Sequence, residues 1–176
     1  MTNDIVAINQ VLNEYCHTVD RRSAREVSKL FSPDALLKPY FDDKYDVIGR
    51  SEIERWYEHY MENFRRHIRH LKHMIVSPMI KVETDQASSV CYFLASAVNS
   101  ETNLGFSAMG IYTDRLKKLD GKWMLSERCI TVETTEPEIK VIEEFPSLEF
   151  RYLTAEKLKD LFFAHHKIWN NFLIFH

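Results

Sequence analysis

The sequence predicts an α+β fold, with helices first and a mostly antiparallel sheet after them. Three observations predict it. Apolar residues recur at helical spacing between Ile5 and Ile68. From His73 onward the pattern changes to strand-like alternation over four successive runs. Asp120-Gly121 is a tight-turn signal between the last two of those runs. Helices and strands that segregate along the chain, instead of alternating, define this class. A chain of 176 residues without internal repeats or linkers is most economically one domain.

Each element has its own reason. Ile5, Ile8, Leu12, Tyr15, Cys16 and Val19 make one apolar stripe, so residues 4–20 read as a helix with Asp4 as its N-cap. Asp20 follows the last stripe position and so lies at the helix end beside the buried face. A shorter helix is expected from Ser23 to Phe31, turning Ala24, Val27, Leu30 and Phe31 inward, and Ser32-Pro33-Asp34 ends it. Residues 35–49 read as two short strands joined near Asp42-Asp43. Ser51 and Glu54 have capping-box spacing for a helix over 52–70 that buries Ile53, Trp56, Tyr57, Tyr60, Phe64 and Ile68. Arginines and histidines in its last turn suit the helix dipole.

Strands are expected at 73–84, 87–99, 104–118 and 122–134. Pro78 predicts a bulge or a sheet edge in the first of them. Alternation leaves two candidate inner sets in the second, Val90, Tyr92 and Leu94 or Cys91, Phe93 and Ala95, because both are largely apolar. After residue 134, Thr154 is placed to cap a final helix carrying Leu158, Leu161, Phe162, Trp169 and Phe172. That apolar face would close the end of a cavity or pack on another subunit.

Composition narrows the function classes. A net charge of −3 does not suggest bulk nucleic-acid binding. No apolar run approaches membrane-spanning length, and Met1-Thr2-Asn3-Asp4 lacks the basic start of a signal peptide. Cys16, Cys91 and Cys129 make neither a paired framework nor a zinc pattern, so a reducing cytoplasm is the expected location. Four glycines supply no phosphate-cradling loop.

Several stretches together carry a resemblance. Tyr15 and Asp20 are spaced five apart at the first helix end. Leu30-Phe31-Ser32-Pro33-Asp34-Ala35 forms a turn, and His73-Met74 is followed by Ser77-Pro78 and Ile80. Tyr112-Thr113-Asp114-Arg115 precedes Asp120-Gly121-Lys122-Trp123, with Arg128 five residues further on. In this order the chain resembles the SnoaL-like branch of the NTF2-like superfamily. That branch includes bile-acid 7α-dehydratase, scytalone dehydratase and hexachlorocyclohexane dehydrochlorinase. The resemblance implies a cone: a curved sheet wrapped around N-terminal helices, enclosing an apolar cavity. It assigns residues 1–134 to the SnoaL-like domain and leaves 135–176 as a C-terminal extension. It also implies a homo-oligomer, a trimer or a dimer.

The implied chemistry is acid–base. Asp20 and His73 match the family's dyad: a carboxylate fixes the imidazole tautomer, and the ring takes a proton near neutral pH. Tyr15 would protonate a leaving hydroxyl, and Arg128 would stabilise developing negative charge. The set needs no metal and no organic cofactor. The implied reaction is a dehydration, cyclisation or isomerisation of a small, mainly apolar, cyclic substrate. A non-catalytic subunit or ligand-binding domain is the alternative, since the fold hosts those too. His67, His70 and His73 recur every third residue, but no carboxylate or cysteine motif joins them as metal ligands. Arg65, Arg66, Arg69 and Lys72 read either as a grip for an anionic handle or as a solvated helix face.

Overall fold

A computed structural model describes residues 2–40 and 45–140. The elements in order are α1 (Thr2–Arg21), α2 (Ala24–Ser28), β1 (Phe31–Tyr40), β2 (Val47–Ile48), α3 (Arg50–Asn63), a 3-10 turn (Arg65–His67), β3 (Ile68–Glu83), β4 (Gln86–Asn99), β5 (Leu104–Leu119) and β6 (Lys122–Lys140). The expected helix after Thr154 lies outside the described residues. The strands form one open, curved, mixed sheet in the order β2-β1-β6-β5-β4-β3. All pairings are antiparallel except β1 with β6, which is parallel.

The apolar stripe of α1 is buried as expected, with Ile8, Leu12, Tyr15, Cys16 and Val19 in the core. Asp4 is not its N-cap, because the helix starts at Thr2. Asp4 instead binds Lys118 Nζ (2.8 Å) and accepts from Trp123 Nε1 (3.0 Å), tying the first turn to the β5–β6 hairpin. The capping box belongs to α2: Ser23 and Glu26 satisfy each other's backbone N–H groups. The helix ends before Phe31, which already opens β1, so Pro33 sits inside a strand. Helix α3 has no box at Ser51; its N-cap is Gly49 at φ +90°, a conformation that favours glycine.

The largest difference lies around His73. Helix α3 stops at Asn63, and β3 begins at Ile68, five residues earlier than the sequence predicts. The stretch rich in arginine and histidine is therefore a 3-10 turn and a strand start, and its cations do not line a last helical turn. Two irregularities bend β3, with His70 at φ +59° and Ser77 at φ +54°. The second lies beside Pro78, on the sheet's edge strand, so bulge and edge occur together.

The inner sheet face is settled by burial. Cys91 and Phe93 are buried, whereas Val90 and Tyr92 are exposed. Strand β6 continues to Lys140, beyond the expected strand end.

Candidate active site

Asp20 and His73 meet. Asp20 sits in the last turn of α1, and His73 sits on β3, which ends the sheet order among the described residues. Asp20 Oδ1 lies 2.7 Å from His73 Nδ1, and Oδ2 accepts the His73 backbone N–H at 3.0 Å. One carboxylate therefore fixes both the ring and the strand that carries it. A carboxylate only accepts, so the hydrogen belongs to Nδ1, and Nε2 of the neutral ring keeps a free lone pair. The Asp20 and His73 side chains are only 4% and 11% exposed. The helix end is itself held: Arg65 Nη1 donates to the carbonyls of Val19 (2.8 Å) and Arg22 (2.7 Å). Arg65 thus serves the C-terminal carbonyls of α1, where a cation is favoured.

His73 lines a cavity of about 800 Å³ between the helices and the inner sheet face. Aromatic rings make much of its wall, including Tyr15, Trp56, Tyr57, Tyr60, Phe93 and Tyr112. The volume lies in the range of ligand sites, and apolar walls with few polar groups are their usual composition. The predicted Tyr15 is there, and its hydroxyl lies 2.6 Å from that of Tyr57. Burial raises both phenols above the ordinary tyrosine range, and the nearby Arg128 charge opposes the rise. Both hydroxyls therefore hold their protons at neutral pH and can donate. Tyr57 was legible only as a stripe residue of its helix. Its hydroxyl on a core face was the available signal.

Arg128 is the site residue placed least as expected. Simple alternation puts it on one face with Met124 and Ser126. The pairing slips between Arg115 and Leu116, leaving Ser126 as an extra residue. Arg128 therefore turns inward with Leu125 and Ile130. It is fully buried and makes a two-pronged ion pair with its cross-strand partner Asp114, Nε–Oδ1 2.7 Å and Nη2–Oδ2 2.8 Å. Ser89 Oγ donates to the same carboxylate at 3.1 Å. The guanidinium carbon lies 3.8 Å from the Tyr15 ring centroid and 4.5 Å from that of Tyr112. Arg128 thus stands behind the tyrosines and does not line the cavity. It meets the cavity wall at the rings of Tyr15 and Tyr112, by a cation–π contact worth about 2 kcal/mol when desolvated.

These features define a class: an α+β cone fold with an aromatic cavity and an Asp–His pair on its wall. The chain belongs to the SnoaL-like domain family, whose profile matches residues 1–129. A solved structure from Novosphingobium aromaticivorans, assigned as a scytalone dehydratase, is 20% identical with a TM-score of 0.67, covering 82% of this chain and 99% of that one. A type 2 hexachlorocyclohexane dehydrochlorinase is 16% identical with a TM-score of 0.68, covering 84% and 97%. A protein of unknown function from Mycobacterium tuberculosis is 20% identical with a TM-score of 0.64, covering 74% and 72%. At these identities the likeness shows the fold. No curated protein matches the chain.

Proposed function

We propose that this protein is a lyase or isomerase of the dehydratase type, acting without a cofactor on a small, mostly apolar, cyclic substrate. The observation that supports this reading is the 2.7 Å contact between Asp20 and His73 on the wall of the aromatic cavity. His73 Nε2 removes a proton from the carbon beside a carbonyl. The released electron pair becomes an enolate, paired with the positive imidazolium that Asp20 stabilises. The enolate collapses to a carbon–carbon double bond and expels hydroxide from the β-carbon. Tyr15, hydrogen-bonded to Tyr57, supplies the proton that makes the leaving group water, and the proton held by His73 then passes back to Tyr15, restoring both residues. The products are an enone and water. Arg128 is a positioning residue here: it holds the Tyr15 ring and contributes positive charge through it.

The test is a panel of cyclic β-hydroxy ketones, followed by the rise of enone absorbance. Wild type should turn over at least one member, and His73→Ala should lose turnover while keeping its circular dichroism spectrum. Turnover that survives His73→Ala would remove the dyad from the reaction. Tight binding without turnover, unchanged in His73→Ala, would favour a ligand-binding domain.

A further inference from the structure

Asn63 lines both the main cavity and a second recess of about 330 Å³, and so do Phe64 and Phe106. The two phenylalanine rings meet edge to face, with centroids 6.1 Å apart and planes at 72°. The pair therefore forms the apolar part of the wall shared by the two spaces, with Asn63 beside it. Beyond it Ile68 adds an apolar wall, and His67 and Asn99 bring polar groups. Asn99 Oδ1 accepts the backbone N–H groups of Glu101 (2.9 Å) and Thr102 (3.1 Å), which fixes the amide orientation. Its NH2 group is then a donor, and the His67 ring adds a second N–H.

Phe64 stands where α3 has ended and the 3-10 turn begins. It is 42% exposed, a large apolar ring left partly bare at the junction of two cavities. A ligand lying across the junction removes that surface from water.

We propose that the recess is a subsite for a side arm of the substrate. The ring-bearing head lies beside His73. An apolar arm passes along Phe64 and Phe106, against Ile68, and ends in a hydrogen-bond acceptor that meets Asn99 and His67. The substrate class is thus a cyclic carbonyl compound with a short alkyl arm carrying a terminal carbonyl. This inference rests on the main cavity being the substrate site.

Calorimetric titration of the full chain with cyclohexanone and its 4-alkyl derivatives tests it, using arms of increasing length with and without a terminal methyl ketone. Each methylene that enters the recess should tighten Kd by about fourfold. The gain should level off once the arm reaches the polar groups, and the terminal ketone should add to it. Ile68→Trp fills the recess, so it should abolish the chain-length gain and leave the Kd of cyclohexanone unchanged. The milder Ile68→Phe makes the same test if the larger ring prevents folding. Binding of the parent ketone with no gain along the series in wild type overturns the subsite alone. So does a gain that survives both Ile68 variants. Absence of binding for every member, the parent included, overturns the reading of the main cavity and the subsite with it.

Discussion

In the proposed mechanism Asp20 and His73 act on one proton, so their removal should not be additive. Asp20→Asn and His73→Gln should each lower kcat by about 10²–10⁴-fold. The double variant should fall no further than the worse single, because groups that act as a unit lose their effect together. Steady-state rates of the four proteins on one ketone from the panel check this. A double variant whose loss is the product of the singles would mean independent roles. Arg128 makes a different prediction. Its guanidinium and Asp114 are both fully buried. Arg128→Met leaves Asp114 without its partner, and breaking such a pair costs about 3–5 kcal/mol. Arg128→Lys should not restore stability, since an ammonium cannot make the two-pronged contact. Urea denaturation of both variants is the measurement, and a loss below about 1 kcal/mol would contradict the account. At this scale the sequence was informative about identity more than placement. Tyr15, Asp20 and His73 stood out as chemistry-bearing residues at an element end or a pattern change. Asp114 and Tyr57 did not, because their partners are distant in sequence: the Tyr15–Tyr57 bond spans 42 residues.

Helix α1 carries Tyr15 and Asp20, so what anchors it sets the site. Its first turn is tied to the β5–β6 hairpin through Asp4. Hydrogen bonds from Lys118 and Trp123 hold the Asp4 carboxyl well below the usual carboxylate range. A carboxyl depressed in the folded state contributes stability that is present above the unfolded pKa of about 3.9. That contribution is lost as pH falls further, toward the folded value. Wild type should therefore lose stability steadily on acidification below about pH 4. Asp4→Asn should be less stable at neutral pH and show a flatter dependence in that window. Thermal melts between pH 5 and pH 2, followed by circular dichroism, decide it; parallel curves for the two proteins would exclude the linkage. Helix α1 and strands β4 and β5 were legible because long periodic runs carry a strong signal. The boundary at β3 was not. Ile68, Leu71 and Ile75 fit a helical stripe about as well as a bulged strand, and tertiary pairing with β4 decides between them. The slip at Ser126 was invisible for the same reason: one extra residue reverses the faces without any change in composition.

Across the whole molecule, the outer face of the sheet presents an unusual surface. Register places Met74, Leu94 and Met109 side by side across β3, β4 and β5, and Val76, Tyr92 and Ile111 beside them. Met79 and Val90 extend the patch by one more row. Val76 is 53% exposed, Tyr92 59% and Met79 72%. On β6 the neighbouring outward positions turn polar, since Met109 pairs with Thr134 and Ile111 with Thr131. The patch is thus apolar at its centre and bounded by polar residues on that side. Contiguous exposed apolar surface of this kind marks an interaction site. We infer that a second copy of the chain covers it, giving a homo-oligomer, dimer or trimer. Self-association needs no charge complementarity, and the three rows carry no charged side chain. Tyr92→Glu places a carboxylate at the centre of the patch, opposite its own copy or close to it. Like charges brought together in a desolvated interface oppose association, so this variant should shift the protein to monomer. Tyr92 points away from the cavity, so the Asp20–His73 contact should survive and turnover should persist in the dispersed protein. Sedimentation velocity of the full chain and the variant, at matched concentrations, reads both states. A wild-type protein that sediments as a monomer leaves the patch to a different partner. A Tyr92→Glu protein that keeps the oligomer moves the interface to another face.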